Sequence, residues 1–340
     1  MEKINVIYQF NEKYAAYAGV SLTSLLINNE GAPVDVMILA DSIGDATKER
    51  FTKTADKYGA RIFFPDTVSL MEEFREMGMI PYRGTYSVYL RLFFTKLSGM
   101  PDLAGQRVLY LDADTIVDKN LQELFATDME DKSIGMVLES LRDNYKVMIG
   151  MSPSSDYYNS GMILYDVDRW AGRQYPEKLV DHIKNVRSSY IGDQDFLNIV
   201  CEGDVYKLPP TYNFQPLHGR YSLKEYESAY GLDGYYTAEQ VESACRGAAI
   251  YHCYRWLGEF TWDLGNLHPF TGLFDKYLER SLWSGYVKTK AKISAVIKLE
   301  KVMYRTLPKG IFIRIFKKMH ELMLKGAEAD ARAAKANDNA

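Results

Sequence analysis

Short apolar strands alternate with helices along the first part of this chain, and this alternation limits the fold more than any other feature. Residues 4–8, 34–40 and 60–64 are apolar runs with the composition of buried strands. The segments between them, residues 12–26 and 46–58, place apolar side chains at helical spacing. Such alternation predicts an α/β fold, with a mainly parallel sheet and helices on both faces. In sheets of this kind, ligands bind beyond the carboxyl ends of the strands.

The pattern continues into the later parts of the chain. A helix is predicted over residues 86–97, and the run 107–117 is rich in strand-forming residues until an acidic pair interrupts it. Further strands and helices are predicted at residues 133–138, 161–165, 170–186, 193–201 and 248–252.

The acidic pair is Asp112 and Asp114, which follows the apolar run 108–111 directly. Residues i and i+2 of an extended segment point the same way, so both carboxylates face one side and Ala113 faces the other. Two like charges at the end of a buried strand need a cation, a shared proton or several hydrogen-bond donors. A divalent ion such as Mg²⁺ or Mn²⁺ accepts oxygen ligands and leaves positions open for phosphate oxygens. The pair therefore predicts a metal site for a substrate that carries a diphosphate.

Two other interpretations of the same pair are open. Both aspartates can cap turns that follow the strand. Asp112-Ala113-Asp114-Thr115 also resembles the phosphatase motif of the haloacid dehalogenase superfamily, in which the first aspartate is a nucleophile and the second a general acid. That motif normally ends the first strand of its domain, whereas three strand-helix units precede it here. The downstream lysine and second acidic motif of that superfamily have no clear counterpart in this sequence.

Several separated segments resemble the retaining glycosyltransferases of family 8, which include bacterial galactosyl- and glucosyltransferases of lipopolysaccharide and capsule synthesis, and glycogenin. The resemblance runs from about Asn5 to about Leu278. It is carried by Tyr14-Ala15-Ala16-Tyr17, Tyr89-Leu90-Arg91-Leu92, the metal motif 109–114, residues 158–164, residues 192–198 and His252. The resemblance implies a GT-A fold, a Rossmann-like nucleotide-sugar-binding domain with a mainly parallel mixed sheet.

The resemblance also implies a role for individual residues. The metal ligands would be Asp112, Asp114 and His252, a set that suits Mn²⁺ better than Mg²⁺. The metal would bridge the diphosphate of a UDP-hexose and neutralise the charge on the leaving group. The donor-binding residues would be Gln9, Asn11, Tyr14, Arg91, Asp112, Ala113, Asp114, Asn159, Gly161, Asp193 and Gln194. Asp193 and Gln194 would also be the catalytic residues, with Gln194 beside the reacting carbon of a substitution that retains the anomeric configuration.

The loop after His252 departs from the family. Family members typically continue with a glycine and then a basic residue, proline and tryptophan, and the basic residue grips the pyrophosphate. Gly258 and Trp262 are recognisable here, but Phe260-Thr261 replaces the basic residue and the proline. Arg255 is the predicted substitute. The departure also leaves open a non-catalytic module that binds a glycan or a nucleotide sugar.

The C-terminal part of the chain is strongly basic. Residues 288–325 contain many lysines and arginines and only two acidic residues, Glu300 and Glu321. At helical spacing, one face carries the apolar residues Phe312, Ile315, Phe316, Met319, Leu322 and Met323. This pattern is typical of a helix that lies in an anionic membrane surface, where a lipid-linked acceptor would be found. The alternative is a helix docked on the catalytic domain with a solvated basic face.

These observations divide the chain into a transferase domain (1–283), a basic membrane-associating extension (284–325) and a disordered tail (326–340). No apolar run approaches the ~18 residues of a membrane span, and no signal peptide is recognisable. The expected location is the cytoplasm, peripheral on the inner face of the cell membrane. Three cysteines without C-x-x-C spacing argue against a disulfide framework or a zinc site. The net charge of -4 says little by itself because it conceals this basic segment, and the main body of the chain does not suggest a nucleic-acid partner.

Overall fold

The computed structural model describes residues 1–82, 84–139, 141, 143–185, 192–217, 220–230, 235–319 and 322. The strands are β1 (Ile4–Phe10), β2 (Val34–Ala40), β3 (Arg61–Phe63), β4 (Arg107–Asp112), β5 (Thr115–Val117), β6 (Ile134–Leu138), β7 (Tyr158–Asp166), β8 (Val205–Lys207) and β9 (Ile250–His252). The α-helices of the first half are α1 (Ala15–Asn28), α2 (Asp45–Lys57), α3 (Thr67–Glu76), α4 (Gln122–Phe125), α5 (Asp143–Met148) and α6 (Val167–Gly172). Those of the second half are α7 (Tyr175–Asn185), α8 (Asp193–Val200), α9 (Leu223–Tyr230), α10 (Ala238–Arg246), α11 (Thr271–Leu278) and α12 (Ala295–Thr306), and residues 309–319 are also helical.

Within the described residues, a seven-stranded sheet has the order β3-β2-β1-β4-β7-β6-β8. Its strands are parallel except for β7, which runs antiparallel to β4 and to β6. β1 and β2 are buried along nearly their whole length, as parallel strands covered on both faces must be. The prediction of a mainly parallel mixed sheet is confirmed.

Strand register brings the polar residues together at one edge of this sheet. β1 pairs with β4 so that Gln9 lies opposite Asp112. The chain then turns at Ala113 and Asp114 and enters β5, which pairs antiparallel with β9 in a second, two-stranded sheet. Thr115 lies opposite His252 in that pairing. His252 is thereby placed beside the acidic pair, although 138 positions separate it from Asp114 in the sequence.

Two helix predictions differ from the structure. The segment 86–97 forms two 3-10 helices, Ser87–Leu92 and Phe94–Lys96, and not one α-helix. Tyr89, Leu90, Arg91 and Leu92 are all buried in the first of these 3-10 helices. The helix predicted over 170–186 is broken into α6 and α7 at Gln174, which has a φ of 56°. Residue 186 lies outside the described residues.

The C-terminal helices pack on the rest of the chain. Phe312 and Ile313 are 2% and 5% exposed and join a cluster with Trp256, Leu257 and Tyr226. Phe312, which belongs to the predicted apolar face, and its neighbour Ile313 therefore pack on the loop after β9. Met323, Lys325 and the tail 326–340 lie outside the described residues. None of the helices in the described part of the chain is long and apolar enough to cross a membrane.

Candidate active site

Asp112, Asp114 and His252 form a cluster at the carboxyl end of β4. Nε2 of His252 lies 3.4 Å from Oδ1 of Asp114 and 3.6 Å from Oδ2 of Asp112. One ligand atom from each residue lies within 4.8 Å of the others. Burial opposes a charge on His252, but Asp114 and Asp112 outweigh it and raise the pKa of the imidazole. The pocket therefore favours a positive charge at this point, which is the requirement of a cation site.

The second nitrogen of His252 is fixed by a chain of amides. Nδ2 of Asn213 donates to Oδ1 of Asn159 (2.8 Å), so Oδ1 of Asn213 faces Nδ1 of His252 at 3.0 Å. This geometry places the imidazole hydrogen on Nδ1 and directs the lone pair of Nε2 towards the two carboxylates. Oδ1 of Asn159 also accepts from the backbone N–H of Gly161, and its Nδ2 donates to Glu139 at 2.6 Å. The residues present thus fit a divalent metal, with a histidine already oriented to bind it.

Gly161 leaves room for the histidine ring. A Cβ atom at position 161 would lie 2.0 Å from Cε1 of His252, closer than any real contact. Position 161 of β7 therefore requires glycine, because any side chain would overlap with the ring of His252.

Arg91 connects the cluster of Asp112, Asp114 and His252 to Asp193. The side chain is buried, in contrast to a surface cation, and its guanidinium lies 4.5 Å from the centre of the Tyr110 ring. Nη1 donates to Oδ1 of Asp112 at 3.0 Å, and Nη2 lies 2.9 Å from Oδ2 of Asp193. The backbone N–H of Arg91 donates to Oε1 of Gln9. Because Tyr110 and Arg91 both donate to Oδ1 of Asp112, Oδ2 is the oxygen turned towards His252.

Asp193 and Gln194 begin helix α8 beside this cluster. Burial raises the pKa of Asp193 to about 6, although Arg91 partly offsets it. Oε1 of Gln194 accepts from the backbone N–H of Ser160 (2.9 Å), and its Nε2 donates to the hydroxyl of Tyr157 (3.3 Å). The amide of Gln194 is thus held in one orientation from both ends. Gly192 precedes the helix with a φ of 59°.

The predicted residues Asn11, Tyr14 and Ala113 belong to the segments that follow β1 and β4. Asn11 accepts from the backbone N–H of Lys13 and so caps the 3-10 helix that carries Tyr14. The pKa of Tyr14 is raised by burial and then by Asp114, while Arg255 opposes the rise. Tyr14 therefore lies within electrostatic reach of both the acidic pair and Arg255. Ala113 is buried in the turn between β4 and β5.

Sequence reasoning missed five residues of this network: Tyr110, Glu139, Tyr157, Ser160 and Asn213. Tyr110 had a usable signal, because it stands two positions before Asp112 and shares its face of the strand. Asn213 and Glu139 had none, because only the fold brings their loop and strand end to His252 and Asn159.

A sheet of this order, with two carboxylates and a histidine at the carboxyl end of the fourth strand, is that of a glycosyltransferase of the GT-A class. The sequence profile of glycosyl transferase family 8 matches residues 5–231, and the chain belongs to this family. The family-level prediction from the sequence is confirmed.

Individual relatives agree with this assignment. The chain is 28% identical over 218 residues to the lipopolysaccharide 1,2-glucosyltransferase of Escherichia coli strain K12, and the match covers 62% of each protein, less than two thirds. It is 23% identical to general stress protein A of Bacillus subtilis strain 168, covering 83% of this chain and 96% of that protein. The structure of the galactosyltransferase LgtC, solved with donor and acceptor sugar analogues, superimposes with a TM-score of 0.64 at 20% identity, covering 83% of this chain and 99% of that chain. At that identity the superposition supports the fold alone.

Proposed function

We propose that this chain transfers a hexose, glucose or galactose, from a UDP-sugar to a glycan or lipid-linked acceptor in surface polysaccharide synthesis, with retention of the anomeric configuration. The observation that carries the proposal is the cluster of Asp112, Asp114 and His252 in a family 8 chain. Relatives named as lipopolysaccharide glucosyl- and galactosyltransferases support the hexose and the type of acceptor. The proposed metal is Mn²⁺ or Mg²⁺, because the ligand set combines two carboxylates with one imidazole.

In this proposal each side chain has a definite task. Asp112, Asp114 and His252 hold the metal, which when bound would neutralise the charge developing on the diphosphate leaving group. Arg91 lies between Asp112 and Asp193, contacts both carboxylates and fixes their positions. Gln194, fixed by Ser160 and Tyr157, stands beside the reacting carbon.

Donor binding involves the remaining residues of the site. Asp193 and Asn159 form hydrogen bonds with hydroxyls of the sugar. Gly161 lies two positions after Asn159 in β7. Gln9, Asn11 and Tyr14 contact the uridine. Arg255 supplies a cation for the diphosphate in place of the family's basic residue. Arg255 is exposed and lies 4.9 Å from the ring of Phe260, so it is supported but free to meet an anion.

The test of this function is UDP release from UDP-glucose and UDP-galactose, with Mn²⁺ and with an excess of chelator. We expect one of the two sugars to be hydrolysed slowly, and chelation to abolish the reaction. Release that survives chelation would contradict the metal site. Binding of the nucleotide sugar without release, with a range of acceptor glycans supplied, would favour a non-catalytic module. Phosphate release from simple phosphomonoesters would revive the phosphatase interpretation.

We also propose that residues 284–325 hold the enzyme against an anionic membrane on its cytoplasmic side. Phe312 is buried, but helix α12 turns Val296, Leu299 and Val302 outwards, and these side chains are 60%, 60% and 55% exposed. They lie within about one third of the helix circumference, beside the exposed Lys298. Apolar side chains flanked by cations are typical of helices in a membrane interface.

A variant that changes Val296, Leu299 and Val302 to serine tests the membrane proposal. We expect binding to phosphatidylserine-containing vesicles to weaken by at least about tenfold, because each buried aliphatic side chain contributes on the order of 1.5 kcal/mol. Co-sedimentation with vesicles measures the effect, with neutral vesicles as the second arm. The matched control is Val68→Ser, which removes a 58% exposed valine from a different helix. Equal binding of variant and control would contradict the proposal.

A further inference from the structure

The loop that carries Arg255 ends in a tight turn. We define the donor loop as residues 254–262. At its tip, the backbone N–H groups of Trp256 and Glu259 each donate to the other's carbonyl, at 2.8 and 3.0 Å. Leu257 and Gly258 between them have φ values of 48° and 76°. Positive φ at both central residues defines a type I′ turn, which is strained for leucine and requires support from its surroundings.

Helix α12 supplies that support. A Cβ atom on Gly258 would lie 2.7 Å from Cγ2 of Ile297, so the helix rests directly on the backbone of the turn. The ring of Tyr304, about two turns further along α12, lies edge-on to Trp256 with 5.9 Å between ring centres. These contacts use the inner face of α12, which lies opposite Leu299 and Val302.

An ion pair joins the same two elements. Nζ of Lys301 on α12 lies 2.5 Å from Oε1 of Glu259 in the donor loop, and the two side chains are only 13% and 6% exposed. Among the described residues, the other oxygen of Glu259 is buried without a hydrogen-bond partner. A buried pair of this kind gives little net stability, because desolvation cancels much of the attraction, and apolar residues would serve better. What the pair does provide is one fixed position of the loop relative to α12.

The other parts of the donor loop are tied to the site. The N–H of Cys253, just before the loop, donates to the carbonyl of Asp114 at 2.7 Å. At the far end, Trp262 stacks on Tyr17 with 3.7 Å between ring centres and on Phe260 at 4.3 Å. Arg255 lies between these anchors and the tip, and it rests on Phe260. A shift of the turn at residues 256–259 would therefore move Arg255, while Asp112, Asp114 and His252 stayed in place.

We propose that Glu259 and Lys301 are positioning residues: their buried ion pair holds the donor loop on α12 so that Arg255 faces the donor diphosphate. The basic extension is then part of the donor-binding site as well as a surface element. This inference rests on the proposed function to the extent that Arg255 binds the donor.

The test combines Lys301→Met, Glu259→Gln and Arg255→Ala with the double variant Arg255→Ala/Lys301→Met. We expect each single change to raise the donor KM about tenfold, as loss of a charge-assisted contact does. In Lys301→Met and Glu259→Gln, kcat and Mn²⁺ affinity should change less than twofold. The double variant is expected to match Arg255→Ala alone, because Lys301 acts through Arg255. Lys301→Arg should restore most of the donor affinity. The matched control is Lys53→Met, which breaks an exposed ion pair with Glu49 on α2.

Hydrogen exchange separates this inference from the proposed function. We expect the backbone amides of the donor loop to exchange at least about tenfold faster in Lys301→Met than in the parent chain, with or without donor. Faster exchange in Lys301→Met together with an unchanged donor KM in Arg255→Ala would support the role of the ion pair in holding the loop. It would also mean that Arg255 does not bind the donor. Two results would overturn the proposal that the Glu259–Lys301 ion pair positions the donor loop. One is unchanged loop exchange in Lys301→Met, and the other is a KM in the double variant that reflects the sum of the two single effects. Should Lys301→Met not fold, Glu259→Gln and Lys301→Gln give the same readouts.

Discussion

Asp114→Asn is expected to reduce UDP release from the donor by about a thousandfold at a fixed Mn²⁺ concentration. The substitution keeps the shape of the side chain and removes its charge. Asp114 is the carboxylate nearest to Nε2 of His252, at 3.4 Å, and its side chain is 14% exposed, so little solvent screens it. The variant acts through the metal, which would neutralise the leaving group, and loss of one such electrostatic stabilisation costs on the order of 10²–10³ in rate.

The same variant has a second expected outcome that a folding defect would not produce. In the metal-free variant, the lost repulsion between Asp112 and Asp114 offsets the lost attraction between Asp114 and His252, so it should melt close to the temperature of the parent chain. Mn²⁺ should raise the melting temperature of the parent chain, because a ligand that binds only the folded state stabilises it. It should not raise that of the variant. Calorimetric titration with Mn²⁺ and thermal melts measure both effects.

The control for this experiment is Asp131→Asn, which removes an aspartate whose side chain is 74% exposed. It should leave UDP release and the Mn²⁺-dependent melting shift unchanged. Retention of UDP release within tenfold in Asp114→Asn would contradict the assignment of this carboxylate to the metal.

Local sequence patterns were sufficient to predict the sheet and its acidic edge. β1, β2 and β3 are short apolar runs separated by helical spacing, so both their type and their parallel arrangement follow from the chain. The position of Asp112 and Asp114 after β4 likewise follows from one segment. The helix predicted over 86–97 is present, but as two short 3-10 helices, a division that the sequence pattern did not indicate.

The parts of the site that could not be predicted from residue patterns depend on contacts between distant segments. His252 entered the ligand set through the family resemblance, since a lone histidine in a strand has no distinguishing pattern. Its orientation depends on Asn213 and Asn159, which meet only through the fold. The apolar face of residues 312–323 predicted a helix on a membrane surface, with docking on the catalytic domain as the alternative. It did not indicate that Phe312 packs on the loop after β9.

Gly161→Ala is expected to weaken Mn²⁺ binding by about 10- to 100-fold, the usual effect of disturbing a group that orients a metal ligand. The added methyl group would lie 2.0 Å from Cε1 and 2.7 Å from Nδ1 of His252. The ring is 4% exposed and its Nδ1 is bound to Asn213, so it cannot move aside without losing that hydrogen bond. The added methyl group should therefore push the imidazole away from Asn213 or away from the carboxylates of Asp112 and Asp114. Either movement turns the lone pair of Nε2 away from the metal position.

Overpacking should also lower the free energy of unfolding by about 1–3 kcal/mol, so the measurement must separate metal affinity from stability. Calorimetric titration with Mn²⁺ below the melting temperature reports affinity, and chemical denaturation in chelator reports stability. Gly172→Ala is the matched control, because position 172 in α6 has no atom within 4 Å of the added methyl group. Unchanged Mn²⁺ affinity in Gly161→Ala would mean that His252 is not a ligand, since a ring displaced by this contact cannot keep its place in the coordination of a metal.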